Sequence, residues 1–295
     1  MKKIIDIPVF ILTAMFLTIA LFITCSRKNE KIITPRLGGL VADDPVRVSK
    51  IPLISSYTDL MAISKGKPIK PPPVPTLPTS FTLLTPTPGT QGNEFSCTPF
   101  AVAYGAKSIE QFYRTNATSY STSTNIFSVE YVYNQTKAIT CSGGTSITSC
   151  LDLIYNKGVC LESTMPYSDI NGCDLMPTAE QDAEAAKYKI INYSRILNTD
   201  IVAIKTMIVN KHPVIAGIIA DNAFVSAGHG FIWSASTASS GQVGHTVLIV
   251  GYDNSKNAYK ILNEWGTGWG DEGYSWIDYN FFPTKAGYYT YVMNY

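Results

Sequence analysis

Three residues able to do nucleophilic chemistry together stand far apart in this chain. They are Cys97 in QGNEFSCTPFA, His245 in GQVGHTVLIVGYD and Asn263 in KILNEWGTGWGDEGY. A thiolate attacks carbonyl carbon well and a thiol does not. Cys97 falls at the expected N-terminus of a helix, where backbone N–H groups and the helix dipole favour negative charge. A cationic imidazole nearby would favour the thiolate further and later donate a proton to a leaving amine. Only three histidines are available. His212, in NKHPV, reads as a surface turn, and His229, in SAGHGFIW, as an exposed loop residue. His245 lies where a glycine-bounded loop enters an apolar strand, and a strand mouth is a rigid place to hold a base. Asn263, at the end of the next strand, would fix the ring and tautomer without adding a buried charge. Taken alone, Asn263 reads as a turn residue. The oxyanion that develops during attack needs donors, and the backbone N–H of Cys97 and the side-chain amide of Gln91 are the candidates. This chemistry calls for no metal and no cofactor.

The elements that must position these groups change character along the chain. Val102, Ala106, Ile109 and Tyr113 make one apolar stripe of a helix that starts at Cys97. Pro99 in its first turn gives up no hydrogen bond, and Ser96 stands in cap position. Shorter helices are expected over 127–133 and 149–156, and an amphipathic one over 201–209. Short β-type runs follow at 214–220, 246–252, 258–262, 274–278 and 288–293. Helices first and strands second predict an α+β fold of two lobes with a cleft between them.

The chain has 295 residues, 45% of them hydrophobic, enough for a sizeable core. Its 23 basic and 22 acidic residues nearly cancel and form no basic block, which argues against nucleic acid as a partner. The first 30 residues begin with Lys2 and Lys3 and continue in an apolar run over 7–24. That is the shape of a secretory signal, with a permanent membrane anchor as the alternative. Ending at Cys25 in FITC, it resembles a bacterial lipoprotein signal over 1–24, with Cys25 lipidated. The rest of the chain is then extracytoplasmic and held to a membrane by lipid. Residues 25–76 carry KPIKPPPVPTLP and read as a proline-rich tether or short prosegment, with compact structure starting near Leu77. With Cys25 lipidated, five cysteines remain: Cys97, Cys141, Cys150, Cys160 and Cys173. In an oxidising compartment an odd number leaves a free thiol. Two disulfides within 141–173 would leave Cys97 alone; all five reduced and buried is the alternative.

QGNEFSC, SGGTSITSCLDLIYNKGVCLESTMPY, VGHTVLIVGYD and LNEWGTGWG together resemble the papain family of cysteine peptidases, over about 77–295. His245 lies 148 residues after Cys97 and Asn263 lies 166 after. The resemblance implies a papain-like two-lobed fold with a helical left lobe and an antiparallel β-barrel-like right lobe. It implies hydrolysis of peptide bonds through a thioester acyl-enzyme by a monomer acting on peptides or proteins. Cys97 would be the nucleophile, His245 the acid–base group, Asn263 its orienter and Gln91 part of the oxyanion hole. Trp265 would shield the His–Asn bond, and Gly143 and Gly144 would wall the substrate channel. The chain departs from the family wording at Glu94, where a cysteine is usual, at Phe95-Ser96, and at Thr98, where a tryptophan is usual. The lost cysteine removes the family's partner for Cys141, so the pairs implied are Cys141–Cys150 and Cys160–Cys173. The long helical propeptide of the family is missing. The same Cys–His–Asn site also serves transglutaminase-like, amidase and cell-wall peptidase chemistry, and a non-catalytic binding lipoprotein is a further alternative.

Overall fold

A computed structural model of the chain describes residues 38–55 and 76–294. The apolar segment 7–24 and Cys25 lie outside them.

The N-terminal half is helical. After α1 (Pro45–Lys50) and a short strand β1 (Ser80–Thr82), helix α2 runs through three consecutive stretches: Cys97–Pro99, Phe100–Lys107 and Ser108–Arg114. The middle stretch is a wide π-type turn, a form that recurs at functional sites. Val102, Ala106 and Ile109 of the expected stripe are buried with exposures of 0–1%. Ser96 does not cap the helix with its side chain; its hydroxyl instead bonds the hydroxyl of Tyr167 at 2.7 Å. Helices α3 (Val129–Thr136) and α4 (Ile147–Asn156) pack beside it, each capped by a serine, Ser128 and Ser146. Then come α5 (Ala179–Ala185), strand β2 (Asn192–Leu197) and α6 (Ile201–Val209). Strand β2 is not among the β-type runs expected from the sequence; it alternates weakly and contains polar Asn192, Ser194 and Arg195.

The second half is a sheet with two short helices. Strand β3 (Val214–Ala220) is followed by α7 (Asn222–Val225), β4 (Ile232–Trp233), β5 (Val243–Asp253), β6 (Ala258–Leu262), β7 (Tyr274–Asp278), α8 (Phe282–Lys285) and β8 (Tyr289–Asn294). The order is β2-β8-β3-β5-β6-β7-β4, with β1 added to β5. All pairs are antiparallel except β4 with β7. The described strands form an open path, and helices plus sheet give the α+β class expected. Strand β5 is central: it pairs β3, β6 and β1, and residues 245–252 are all buried. Burial on both faces explains its unbroken apolar run.

Two features differ from expectation. Compact structure begins before Leu77: Ile51 and Ile54 belong to the core, and the Ile54 N–H bonds the Arg195 carbonyl at 2.8 Å. The disulfide is Cys141–Cys173, while Cys97, Cys150 and Cys160 are free and buried. Cys150 lies inside α4 with its sulfur 3.2 Å from the Thr145 hydroxyl, which removes it as a partner for the surface-loop Cys141.

Asp221 anchors the aromatic packing beneath His245. Its carboxylate accepts from the Phe224 and Ser239 N–H groups, the Trp233 indole and the Lys285 amine, at 3.0–3.1 Å. Burial alone would raise its pKa, but these donors hold it below the usual carboxylate range. Capped this way, α7 presents Phe224 to Trp233, Trp265 and Trp269. Asp221→Asn should therefore destabilise the fold by about 3 kcal/mol in denaturant titration, since it leaves Lys285 with an uncompensated charge. The difference from the wild type should be full above pH ~4 and shrink as pH falls through the depressed folded-state value. An unchanged midpoint would reject this anchoring role.

Candidate active site

Helix α2 and strand β5 deliver the two reacting groups. Cys97 is the first residue of α2 and His245 the third of β5, opposite Ile218 of β3. The residues that follow them are joined: the Thr98 and Thr246 hydroxyls are 2.8 Å apart, and Thr98 Oγ1 also donates to the Thr145 carbonyl at 3.3 Å. Thr98 thus ties the start of α2 to both the segment before α4 and the central strand. The cysteine sulfur, one His245 ring nitrogen and one Glu264 carboxylate oxygen lie within 4.8 Å of one another.

Asn263 follows the last residue of β6, and its Oδ1 lies 2.8 Å from His245 Nε2. With Nε2–H donating there, Nδ1 is the acceptor nitrogen. It is buried and carries no hydrogen bond among the described residues, so it is free to take the thiol proton. The Trp265 ring stacks on the imidazole with centroids 4.4 Å apart and is itself buried. His212 sits elsewhere, 3.8 Å from Glu110, and His229 is exposed beside the Asp271 carboxylate.

Gln91 lies in the site, and one of the two N–H groups of its side-chain amide is engaged by its own loop. Its Nε2 donates to the Glu94 carbonyl at 2.6 Å, and its Oε1 accepts from the Trp265 indole at 2.9 Å. Its backbone N–H bonds the Glu264 carbonyl at 2.9 Å, joining the loop before Cys97 to the segment after β6. Gly144 is on the channel wall and Gly143 is not. A Cβ on Gly144 would fall 2.0 Å from the Gly39 carbonyl oxygen, whereas Gly143 faces its own loop at Ile139 and Thr140.

The channel is filled by the chain's own residues 38–41. The Val41 N–H donates to the Thr145 carbonyl at 2.9 Å, and the Thr145 N–H to Gly39 at 2.8 Å, forming a parallel bridge. On the other wall the Gly39 and Leu40 N–H groups reach the Gly244 carbonyl at 3.1 and 3.3 Å. Two glycines are needed for this approach: a Cβ on Gly39 would meet the Phe95 carbonyl oxygen at 2.0 Å, and one on Gly38 the Gly244 oxygen at 2.3 Å. The Leu40 side chain lies over Gly217, with Ile147 and Ala286 lining the same apolar groove of about 460 Å³.

Burial sets the electrostatics of the reacting pair. Cys97 and His245 are 0% exposed. Burial, then the Glu264 carboxylate, pushes the Cys97 thiol up to about 12. Burial pulls the imidazole down to about 4 against the Asn263 hydrogen bond. In this covered state the pair is an uncharged thiol and a neutral imidazole.

Sequence reasoning missed Glu264, Thr98–Thr246 and the glycine pair. Glu264 stood inside the quoted LNEWGTGWG, and Gly38-Gly39 inside PRLGGLVADDP, but no spacing rule assigns either a role.

Comparison with known proteins agrees with this geometry. The model of the papain family cysteine proteases matches residues 88–290. Gamete and mating-type specific protein A of Dictyostelium discoideum is 32% identical over 134 residues, 45% of this chain and 28% of that protein. Cysteine proteinase 3 of Entamoeba histolytica is 32% identical over 137 residues, 45% of this chain and 42% of that one. The chain thus spans under half the length of these relatives. Xylellain, a cysteine protease from Xylella fastidiosa, shares the fold with a TM-score of 0.70 at 22% identity, over 88% of this chain and 98% of that one. A match across most of the chain, with thiol, imidazole and Asn side chain brought together from three separate elements, shows that the chain belongs to the papain family of cysteine proteases.

Proposed function

We propose that this chain is a cysteine-type peptidase whose cleft is covered by its own residues 38–41. The observation that carries the reading is the Cys97–His245–Asn263 constellation at the floor of a channel already holding an extended backbone. Once the channel is open, His245 Nδ1 takes the Cys97 proton and the thiolate attacks the peptide carbonyl carbon. The C–N bond breaks as the imidazolium gives its proton to the leaving amine, leaving a thioester on Cys97. Water, deprotonated by His245, then releases the acid and restores the thiol. The Cys97 N–H is one oxyanion donor, and the Gln91 Nε2–H not taken by the Glu94 carbonyl is the second.

Residues 38–41 mark the space a substrate backbone takes. An extended peptide would pair with Thr145 and Gly244 as this segment does, and would set an apolar side chain in the groove beside Ile147 and Gly217. We also propose that lipidated Cys25 tethers the enzyme outside the cytoplasm; the basic start, the apolar run and the cysteine after it support this. The tether would then lie directly upstream of the covering segment.

A peptidyl epoxide should label the full, reduced chain at Cys97, and Cys97→Ala should lose both labelling and peptide hydrolysis, the latter by about 10⁴-fold or more. Hydrolysis that survives in Cys97→Ala sinks the reading. The full-length Gly39→Val variant should label about tenfold faster or more, because the side chain cannot fit against Phe95 and the open population rises. Equal labelling rates for the variant and the wild type would show that 38–41 does not limit access.

A further inference from the structure

Glu264 is a carboxylic acid placed where the mechanism above has no use for one. It follows the orienting Asn263 and is 4% exposed. Its backbone carbonyl is held by the Gln91 N–H, which fixes where the side chain starts. The side chain turns back into the site, so that Oε1 stands 3.1 Å from His245 Nε2. Asn263 Oδ1 is 2.8 Å from the same nitrogen, so one ring N–H faces two acceptors. The well-aligned bond goes to Asn263, and Glu264 Oε1 is left buried without a hydrogen bond among the described residues. An ionised oxygen in that position would be costly, and protonation relieves it.

Burial opposes the charge of Glu264 more strongly than the hydrogen bond from its own backbone favours it. Cys97 approaches from α2 and His245 from β5. Tyr104 of α2 shares a small cavity with Glu264, but its hydroxyl donates to the Thr87 carbonyl at 2.8 Å. Phe100, Leu248, Leu262 and Asn263 line the same cavity and are neutral. The thiolate that catalysis needs would be a second negative charge inside the same 4.8 Å.

We propose that Glu264 is a positioning residue that holds a third proton of this site, and that the site is competent while that proton is in place. With the carboxyl neutral, transfer of the Cys97 proton to His245 makes one thiolate and one imidazolium, and the site stays uncharged overall. With the carboxyl ionised, the imidazolium has a carboxylate 3.1 Å away as a competing partner, and the thiolate faces a like charge. Loss of the Glu264 proton therefore closes activity from the alkaline side. The burial that pushes this carboxyl well above the usual range agrees with the geometry. The inference rests on Cys97 being the nucleophile.

Two measurements test it. In the full chain labelled with ¹³C at glutamate carboxyls, the signal missing from Glu264→Gln identifies Glu264. That carboxyl should titrate well above the ordinary glutamate value of about 4.3. Titration at the ordinary value overturns the proposal whether or not the chain is active. In kcat/KM profiles of full-length enzyme, Glu264→Gln should move the alkaline limb up by at least about one pH unit, with the acid limb unmoved and the plateau within about threefold. Glu264→Asp, which keeps a carboxyl, should keep the wild-type alkaline limb within about half a unit. Superimposable wild-type and Gln profiles overturn the proposal. If no peptide is hydrolysed at any pH, the peptidase reading fails while the carboxyl titration still decides the state of Glu264.

Discussion

Everything in this site depends on holding two groups 148 residues apart in the chain within reach of one proton transfer. A hydrogen bond of 2.8 Å between the residues after them, Thr98 and Thr246, supplies a direct tie. Each hydroxyl sits one residue from a reacting side chain, so the spacing does not rely on long loops. Thr98 stands where the family has a tryptophan. A bulky indole there would fill the floor by packing; a threonine fills less and bonds more, to Thr246 and to the Thr145 carbonyl. Thr145 is also the residue that pairs with the covering strand. One side chain therefore couples the floor of the channel, its wall and the central strand.

The same tight assembly explains why the thiol is neutral here. A helix N-terminus favours a thiolate, but only against the cost of burying it. With 38–41 seated, burial wins: the thiol is pushed up and the imidazole pulled down. Admitting water and substrate lowers that burial cost and lets the helix terminus and imidazolium act. On the proposed reading, a segment that blocks the substrate would also keep the thiol and imidazole in their uncharged forms. Gly38 and Gly39 let a backbone lie this close, and the apolar groove around Leu40 gives the segment something to hold.

How much of this was legible varies with the kind of interaction. His245 and Asn263 are readable because each sits at a strand end marked by glycines and an apolar run, so spacing along the chain carries their position. The fold class follows from helical periodicity before 209 and from short β-type runs after it. Strand β2 is not readable: it is built from polar and half-buried residues, and its pairing with β8 is a contact across about 100 residues. The disulfide is not readable for the same reason. Cys141 and Cys173 meet because two loops meet, while Cys150, nine residues from Cys141, is turned inward by its helix. Gly143 and Gly144 look alike in sequence, yet only the second faces the channel, because backbone direction decides which glycine a neighbour approaches.

The departures from the family wording now fall into one physical pattern. In place of a cysteine at position 94, a buried glutamate stands whose carboxyl is pushed up to about 7, by burial and then by the charge of Glu130. At position 264 a second buried carboxyl lies against the imidazole. At position 98 a hydroxyl replaces a ring. The changes at 94 and 98 trade covalent bridging or apolar filling for a polar group that must be bonded or neutral to be buried. The Glu94 backbone carbonyl, in turn, receives one N–H of the Gln91 side-chain amide. A site built on such groups is held by protons as much as by packing. On the proposed reading, its readiness then follows from whether the cleft is dry or wet.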